Sequence, residues 1–402
     1  MRHQMVHAFT ASLGWQTPTN IPGFARGTLS DPAMAKRLMT PYQLLRTLEG
    51  GNLPRACVQL RSADGKLPQS NYFHAAPPAD RDVINMEVVG DTLNRGGTLI
   101  AGDLHHFSPV LTVLCRALSW LTDARVGVNA YLTVGSTSAF KIHYDTHDVL
   151  VVQVSGHKHW EVRGQTMPAP VGKPYAVPRG EPSEDILWSG TVSPGDVMLI
   201  PRGNWHVASR VQEEGPGHSL HLTFGIHKLT GLDWITTLAK RAAAELPFRL
   251  DLDHPDHDQT DRPDTLVDHL ARIAREVTPA RAAEFIHGNQ RVQRHVPYVA
   301  GLGEIHMVAA VTRFRPTVEK RDESLVVTGG GKKMTLEFDP GIERRLQILL
   351  SGHPVQLPPA DTDPLAHRLA HTLIREGLCA VLTKDLSVGY DGMMETLTLT
   401  SP

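Results

Sequence analysis

The chain has 402 residues, 41% hydrophobic and 20% charged, with a formal net charge of −2. This is the composition of an ordinary globular protein of two or three units, and the near-zero charge gives no reason to expect a nucleic-acid partner. Cys57, Cys115 and Cys379 are too few and too far apart for a disulfide framework or a zinc cluster, no apolar run approaches the roughly 20 residues of a membrane span, and the start lacks a secretory apolar segment, so a cytoplasmic protein is expected.

Residues 1 to 95 are punctuated by Pro and Gly; one helix is expected over Pro41–Leu48, and no chemistry is visible. Leu111, Leu114, Cys115, Leu118 and Leu121 recur at helical spacing, which predicts a helix packed on a sheet, with His105-His106 near its start. From Val126 to about Lys228, short β-branched runs alternate with turns: Val126–Thr133, Asp148–Val154, His159–Val162, Val197–Ile200 and Leu220–Ile226. No long helix interrupts them, which predicts an antiparallel barrel or jelly roll rather than an α/β fold. Ser193-Pro-Gly-Asp196 and Pro201-Arg-Gly-Asn204 read as turns. The segment 231–300 turns helical, with Leu232, Ile235, Leu238, Ala239, Ala242 and Leu246 as one stripe and Leu266, Leu270, Ile273 and Val277 as another. Thr278-Pro279 starts a further helix that stops at Gly288, and Asp251–Asp258 reads as a solvated loop. Two stripes on so short a unit predict a homodimer through 231–300. Residues 301–402 mix strands (Val308–Thr312, Ser324–Thr328, Lys333–Phe338) with helices (Ile342–Leu350, Pro364–Glu376), in the manner of a winged helix. With 11 Lys/Arg against 13 Asp/Glu there, nucleic-acid binding is not expected.

The chemistry centres on Phe140–Trp160. His143 and Asp145 are separated by one residue, and in an extended chain such residues point to one side. A third ligand would complete a two-histidine, one-carboxylate face, the arrangement of oxygen-activating non-haem iron. His206, after the second turn, is the best candidate; His147, His157, His159, His218 and His221 compete. A chelating 2-oxo acid would carry a distal carboxylate that needs a cation, which Lys158 can supply. Asn129, Tyr131 and Thr133 form one polar row and Ser219, His221 and Thr223 another, each alternating with apolar neighbours. Such rows face either a cavity or solvent.

The runs Asn129–Thr133, His143–Trp160, Pro194–His206 and His218–Thr223 together resemble the JmjC-type 2-oxoglutarate oxygenases of the ribosomal-oxygenase group, over roughly residues 95–230. The resemblance implies a double-stranded β-helix oxygenase domain over 1–230 with its barrel core at about 95–230, a helical dimerisation segment over 231–300 and a winged-helix-like module over 301–402. It implies Fe(II) held by His143, Asp145 and His206, with 2-oxoglutarate and O2 as co-substrates. Lys158 falls at the basic partner of the distal carboxylate, with Asn129, Tyr131, Ser219 and His221 lining the pocket. The activity implied is hydroxylation of a side chain in a ribosomal protein or a peptide natural product; demethylation would use the same centre. Residues 1–95 depart from the group's pattern. The alternative is a metal-binding cupin that is non-catalytic or an isomerase, or a regulator acting through the winged helix.

Overall fold

Val126, Val128, Ala130 and Leu132 alternate with Gly127, Asn129, Tyr131 and Thr133, and the strand they form, Arg125–Thr133, buries the first row completely. Ser219–His227 repeats the pattern with Leu220, Leu222, Phe224 and Ile226, and the two strands pair antiparallel from Ser219 opposite Thr133 to His227 opposite Arg125. The computed structural model describes residues 3–16, 23–62, 64–76, 81–135, 140–173, 180–210, 217–252, 265–288, 297–299 and 303–399.

These strands sit in an eight-stranded antiparallel sheet, ordered Ala25–Thr28, Asp196–Ile200, Asp148–Gly156, Ser219–His227, Arg125–Thr133, Thr98–Ala101, Val58–Ser62 and Gly65–Lys66. A three-stranded sheet, Ile186–Val192, Lys158–Gln165 and Asn204–Arg210, accompanies it. The larger sheet has a core on each face. On one, Leu150, Val152, Leu199, Leu220 and Phe224 meet the helices Gln4–Ser12 and Pro109–Thr122. On the other, Val149, Val151, Met198 and Ile200 meet Trp160, Val162 and Val192 of the small sheet. Burial on both faces is why Val149-Leu-Val-Val152 is a continuous apolar run, each side chain adding about 1.5–3 kcal/mol relative to exposure.

The five strands expected over 126–226 are present, extended by one to four residues at their ends, while Val308–Thr312 is cut to Met307–Ala310, and the two turns form as read: Gly195 takes φ +92° and Gly203 φ +87°. Sequence reading missed Ala25–Thr28, Val58–Ser62, Thr98–Ala101, Ile186–Val192 and Asn204–Arg210, which are short or carry polar residues on both faces. Thr40 caps the helix Pro41–Glu49 with a capping box to Gln43. The helix Pro109–Thr122 is buried almost all round, including Arg116, whose Nη1 donates to the Ala310 carbonyl at 2.9 Å and to the Tyr390 hydroxyl at 2.7 Å.

Two buried histidines make stability depend on acid. Burial, then Arg37, holds His3 down to about 4; burial, then His106, Arg313 and Arg125, holds His105 down to about 3. The unfolded chain therefore binds more protons below the ordinary histidine value, so stability is full above about pH 6.5 and falls as pH drops through the window towards 4. Denaturant melts should lose on the order of a few kcal/mol across that window; a flat profile would contradict the burial argument.

Beyond the barrel come the helices Gly231–Ala242, Leu266–Glu276 and Pro279–Gly288, with a small core of Leu238, Ala242 and Ile273. Of the expected stripes, Ile235, Leu246 and Leu270 remain exposed. Part of the expected loop, residues 253–258, lies outside the described residues. The last hundred residues have their own core of Ile305, Val308, Leu325, Leu346, Leu349, Leu369 and Leu373. It joins the helices Pro340–Leu349 and Pro364–Arg375 to a sheet of Thr317–Arg321, Ser324–Gly329 and Lys332–Glu337, whose last turn uses Gly330 and Gly331 at positive φ. Tyr390, Met393 and Met394 then return to the main core beside Met5 and Phe9.

Candidate metal centre and its cavity

His143 and Asp145 lie ahead of the strand that carries the β-branched run. The regular strand starts only at Asp148, and His143 forms an isolated bridge with His206. The His143 N–H donates to the His206 carbonyl at 3.1 Å and the His206 N–H returns to the His143 carbonyl at 2.7 Å. The Gly203 N–H donates to the Asp145 carbonyl at 2.9 Å. His206 does not end its segment: it is the third residue of Asn204–Arg210. The turn 201–204 thus hooks onto the backbone of 143–145, and this registers the third ligand against the first two.

The result is a cluster in which His143, Asp145 and His206 each offer a ligand atom within 4.8 Å of the others. His206 Nε2 lies 3.6 Å from Asp145 Oδ2, and the two imidazole rings are 4.5 Å apart. His143 Nδ1 is 3.0 Å from the Lys141 carbonyl and His206 Nδ1 is 3.0 Å from that of Asn204. A ring nitrogen facing a carbonyl must carry the proton, so each Nε2 presents its lone pair. Burial, opposed by Asp145 and reinforced by His143, holds His206 down to about 4, so its ring is neutral, the form that ligates a metal. Two oriented imidazoles and a carboxylate fit a divalent first-row metal with positions left over.

The cluster opens into a cavity of about 570 Å³ lined by both sheets. The large sheet contributes Thr98, Tyr131, Thr133, Val149, His221 and Thr223; the small one contributes Lys158, Trp160, His206 and Ala208. The polar rows therefore face a cavity, a choice the sequence left open. Lys158 is 2% exposed and donates to Thr133 Oγ1 at 3.2 Å, which lies 3.0 Å from Thr98 Oγ1. Gly156, at φ +63°, ends the preceding strand Asp148–Gly156 just before Lys158; a Cβ there would overlap the His218 carbonyl oxygen. Tyr131 stacks on His221 at 4.8 Å and 3°, and Trp160 meets His221 edge-on. Burial, then Asp145, pushes the Tyr131 hydroxyl up to about 12, so it stays protonated; burial, then Lys158, keeps His221 neutral.

Asn129 and Ser219 lie outside the cavity lining. The Asn129 amide oxygen accepts the Asp103 N–H at 3.1 Å, and the Ser219 hydroxyl accepts from Gln153 at 2.9 Å. The competing histidines are engaged elsewhere: His147 stacks on His227, His157 meets Ser193, His159 meets Ser189 and His218 meets Ser155. Sequence reading missed Arg61, which comes from the N-terminal region where no chemistry was visible, lines the cavity and stands 4.5 Å over the Phe140 ring. Only the pairing of Arg61 with Thr98 brings it there, and no local signal marks it.

Residues 105–233 match the family described as JmjC domain. A histidyl-hydroxylase and lysine-specific demethylase, NO66, of Drosophila pseudoobscura pseudoobscura is 34% identical over 210 residues, 47% of this chain and 21% of the relative. Ribosomal oxygenase 2 of Bos taurus is 33% identical over 107 residues, 26% of this chain and 21% of the relative. The chain thus spans about a fifth of the length of these relatives. Among solved structures, the Escherichia coli ribosomal oxygenase YcfD, in complex with cobalt and 2-oxoglutarate, is similar with a TM-score of 0.51 at 18% identity, covering 88% of this chain and 91% of YcfD. Another YcfD structure gives 0.53 at 16%, covering 89% and 94%. At that identity the likeness is one of fold.

Proposed function

We propose that this chain, which carries a JmjC domain over residues 105–233, is an Fe(II)- and 2-oxoglutarate-dependent oxygenase hydroxylating an amino-acid side chain of a protein or peptide. The observation that carries the reading is a single cavity holding both the His143–Asp145–His206 cluster and the buried ammonium of Lys158. That pair of features matches what a chelating co-substrate with a second carboxylate requires.

In this reading His143 Nε2, Asp145 and His206 Nε2 would hold the iron, which with 2-oxoglutarate and O2 would supply the power to oxidise an unactivated carbon, one oxygen atom of O2 going to the substrate and the other to succinate as carbon dioxide leaves. Lys158 and Thr133 bind the distal carboxylate, orienting the co-substrate from the closed side of the cavity. The stacked Tyr131 and His221 and the apolar faces of Val149 and Trp160 keep that side dry. Ribosomal oxygenase and histidyl-hydroxylase relatives support a protein substrate.

Anaerobic addition of Fe(II) and 2-oxoglutarate should produce a weak visible charge-transfer band, and its absence from the wild type would sink the reading. Mass spectrometry of lysate proteins should then show a 2-oxoglutarate-dependent gain of one oxygen; loss of a methyl group instead would assign demethylation. The same reading extends to assembly through 231–300, where Ile235, Leu246, Val267, Leu270 and Phe285 are exposed. A dimer mass in light scattering is the expected outcome, and a monomer would remove that part. Residues 301–402 act, in this reading, as a winged-helix-like module without a nucleic-acid role.

A further inference from the structure

Immediately past Asp145, at Thr146, the chain enters the wall of a second cavity, of about 590 Å³. It lies where the end of the large sheet, the helix Gly231–Ala242 and the stretch after Met307–Ala310 come together. Arg125, Lys173, Arg202, Lys228 and Arg313 line it, five cations from five separate stretches of chain, against the two carboxylates of Asp148 and Asp233. Both carboxylates are engaged locally. Asp148 accepts the Arg202 backbone N–H at 3.0 Å, and Asp233 accepts the N–H and hydroxyl of Thr230 at 2.7 and 2.8 Å as the cap of its helix.

Convergence of this kind differs from a solvated charged face, where neighbours on one element share water. Here the cations line one half-open volume, and two of them feel each other: burial, then Arg125, pushes the Arg313 guanidinium down from its ordinary value against the opposing pull of Cys115 and Asp103. Gathering like charges costs free energy that a bound anion would recover. The wall also carries flat rings, Phe314 stacked on His287 at 3.8 Å and His147 on His227 at 4.2 Å.

We infer that this cavity binds a phosphorylated small molecule of nucleotide size. The excess of cations over carboxylates matches the charge of a di- or triphosphate, and arginine forks pair with phosphate oxygens. Inorganic phosphate or a small polycarboxylate would leave most of the volume empty, whereas pockets of roughly 300–1,000 Å³ suit ligands with a ring and a chain. The near-neutral net charge of the whole chain hides this local concentration. None of the five cations lines the His143–Asp145–His206 cavity, so the inference does not rest on the oxygenase reading.

The test is calorimetric titration of the full chain, at physiological salt, with ADP, pyrophosphate, citrate and a short single-stranded RNA. ADP should bind, pyrophosphate more weakly and citrate not measurably. Arg125→Gln and Lys228→Gln should each weaken ADP roughly tenfold, the loss of one charge-assisted contact, with far-ultraviolet circular dichroism and Co(II) binding unchanged to show that the fold survives. No heat with ADP, or ADP affinity unchanged in both variants, would overturn the inference. So would citrate binding as tightly as ADP, which would mark a carboxylate site, or RNA binding more tightly, which would mark a nucleic-acid surface.

Discussion

Replacing His206 by alanine is expected to abolish metal binding and turnover while leaving the fold in place. The register that positions His206 is set by its backbone, through the reciprocal hydrogen bonds to His143 at 3.1 and 2.7 Å, and these survive loss of the imidazole. What disappears is one of three convergent donors, so the affinity loss should exceed the roughly 10- to 100-fold that removal of a supporting partner costs. Anaerobic Co(II) titration followed in the visible reads the affinity, and circular dichroism reads the fold. Unchanged Co(II) affinity would show that the metal sits elsewhere. Asp145→Ala should behave alike, because its side chain contributes the charge of the set and lies 3.6 Å from His206 Nε2.

Lys158→Ala is expected to separate co-substrate binding from metal binding. The ammonium is 2% exposed in the cavity wall, 3.2 Å from Thr133 Oγ1, and lies outside the metal cluster. Truncating one partner of a buried charge pair costs about 2–5 kcal/mol, so the KM for 2-oxoglutarate should rise by roughly 30- to several-thousand-fold. Co(II) affinity should hold. Retained 2-oxoglutarate affinity would assign Lys158 a packing role, and loss of Co(II) binding would tie it to the metal.

Part of the barrel was legible because two of its strands alternate strictly. Val126–Leu132 and Leu220–Ile226 announce two-faced strands whatever lies around them, and Gly195 and Gly203 mark turns that need positive φ. The strands Ile186–Val192 and Asn204–Arg210 were not legible, because they belong to the small sheet, whose exposed face erases the apolar pattern. Arg61 could not be read at all: its place in the cavity follows from sheet pairing across more than thirty residues, Arg61 opposite Thr98.

The sequence by itself determined the chemistry on offer: a His-X-Asp pair, a histidine after a glycine turn, and a lysine past Gly156, all local features of residue type and spacing. Tertiary structure decided which of them meet. His143 finds His206 through a single backbone bridge rather than a strand face. The polar row of Tyr131, Thr133, His221 and Thr223 faces inward because the apolar row of the same strands is claimed by Met5, Phe9 and Leu111 on the outer side. Asn129 and Ser219, on the same row, are drawn instead to Asp103 and Gln153. Alternation says that a strand has two faces; only the packing of a second layer against one of them says which face is the inside.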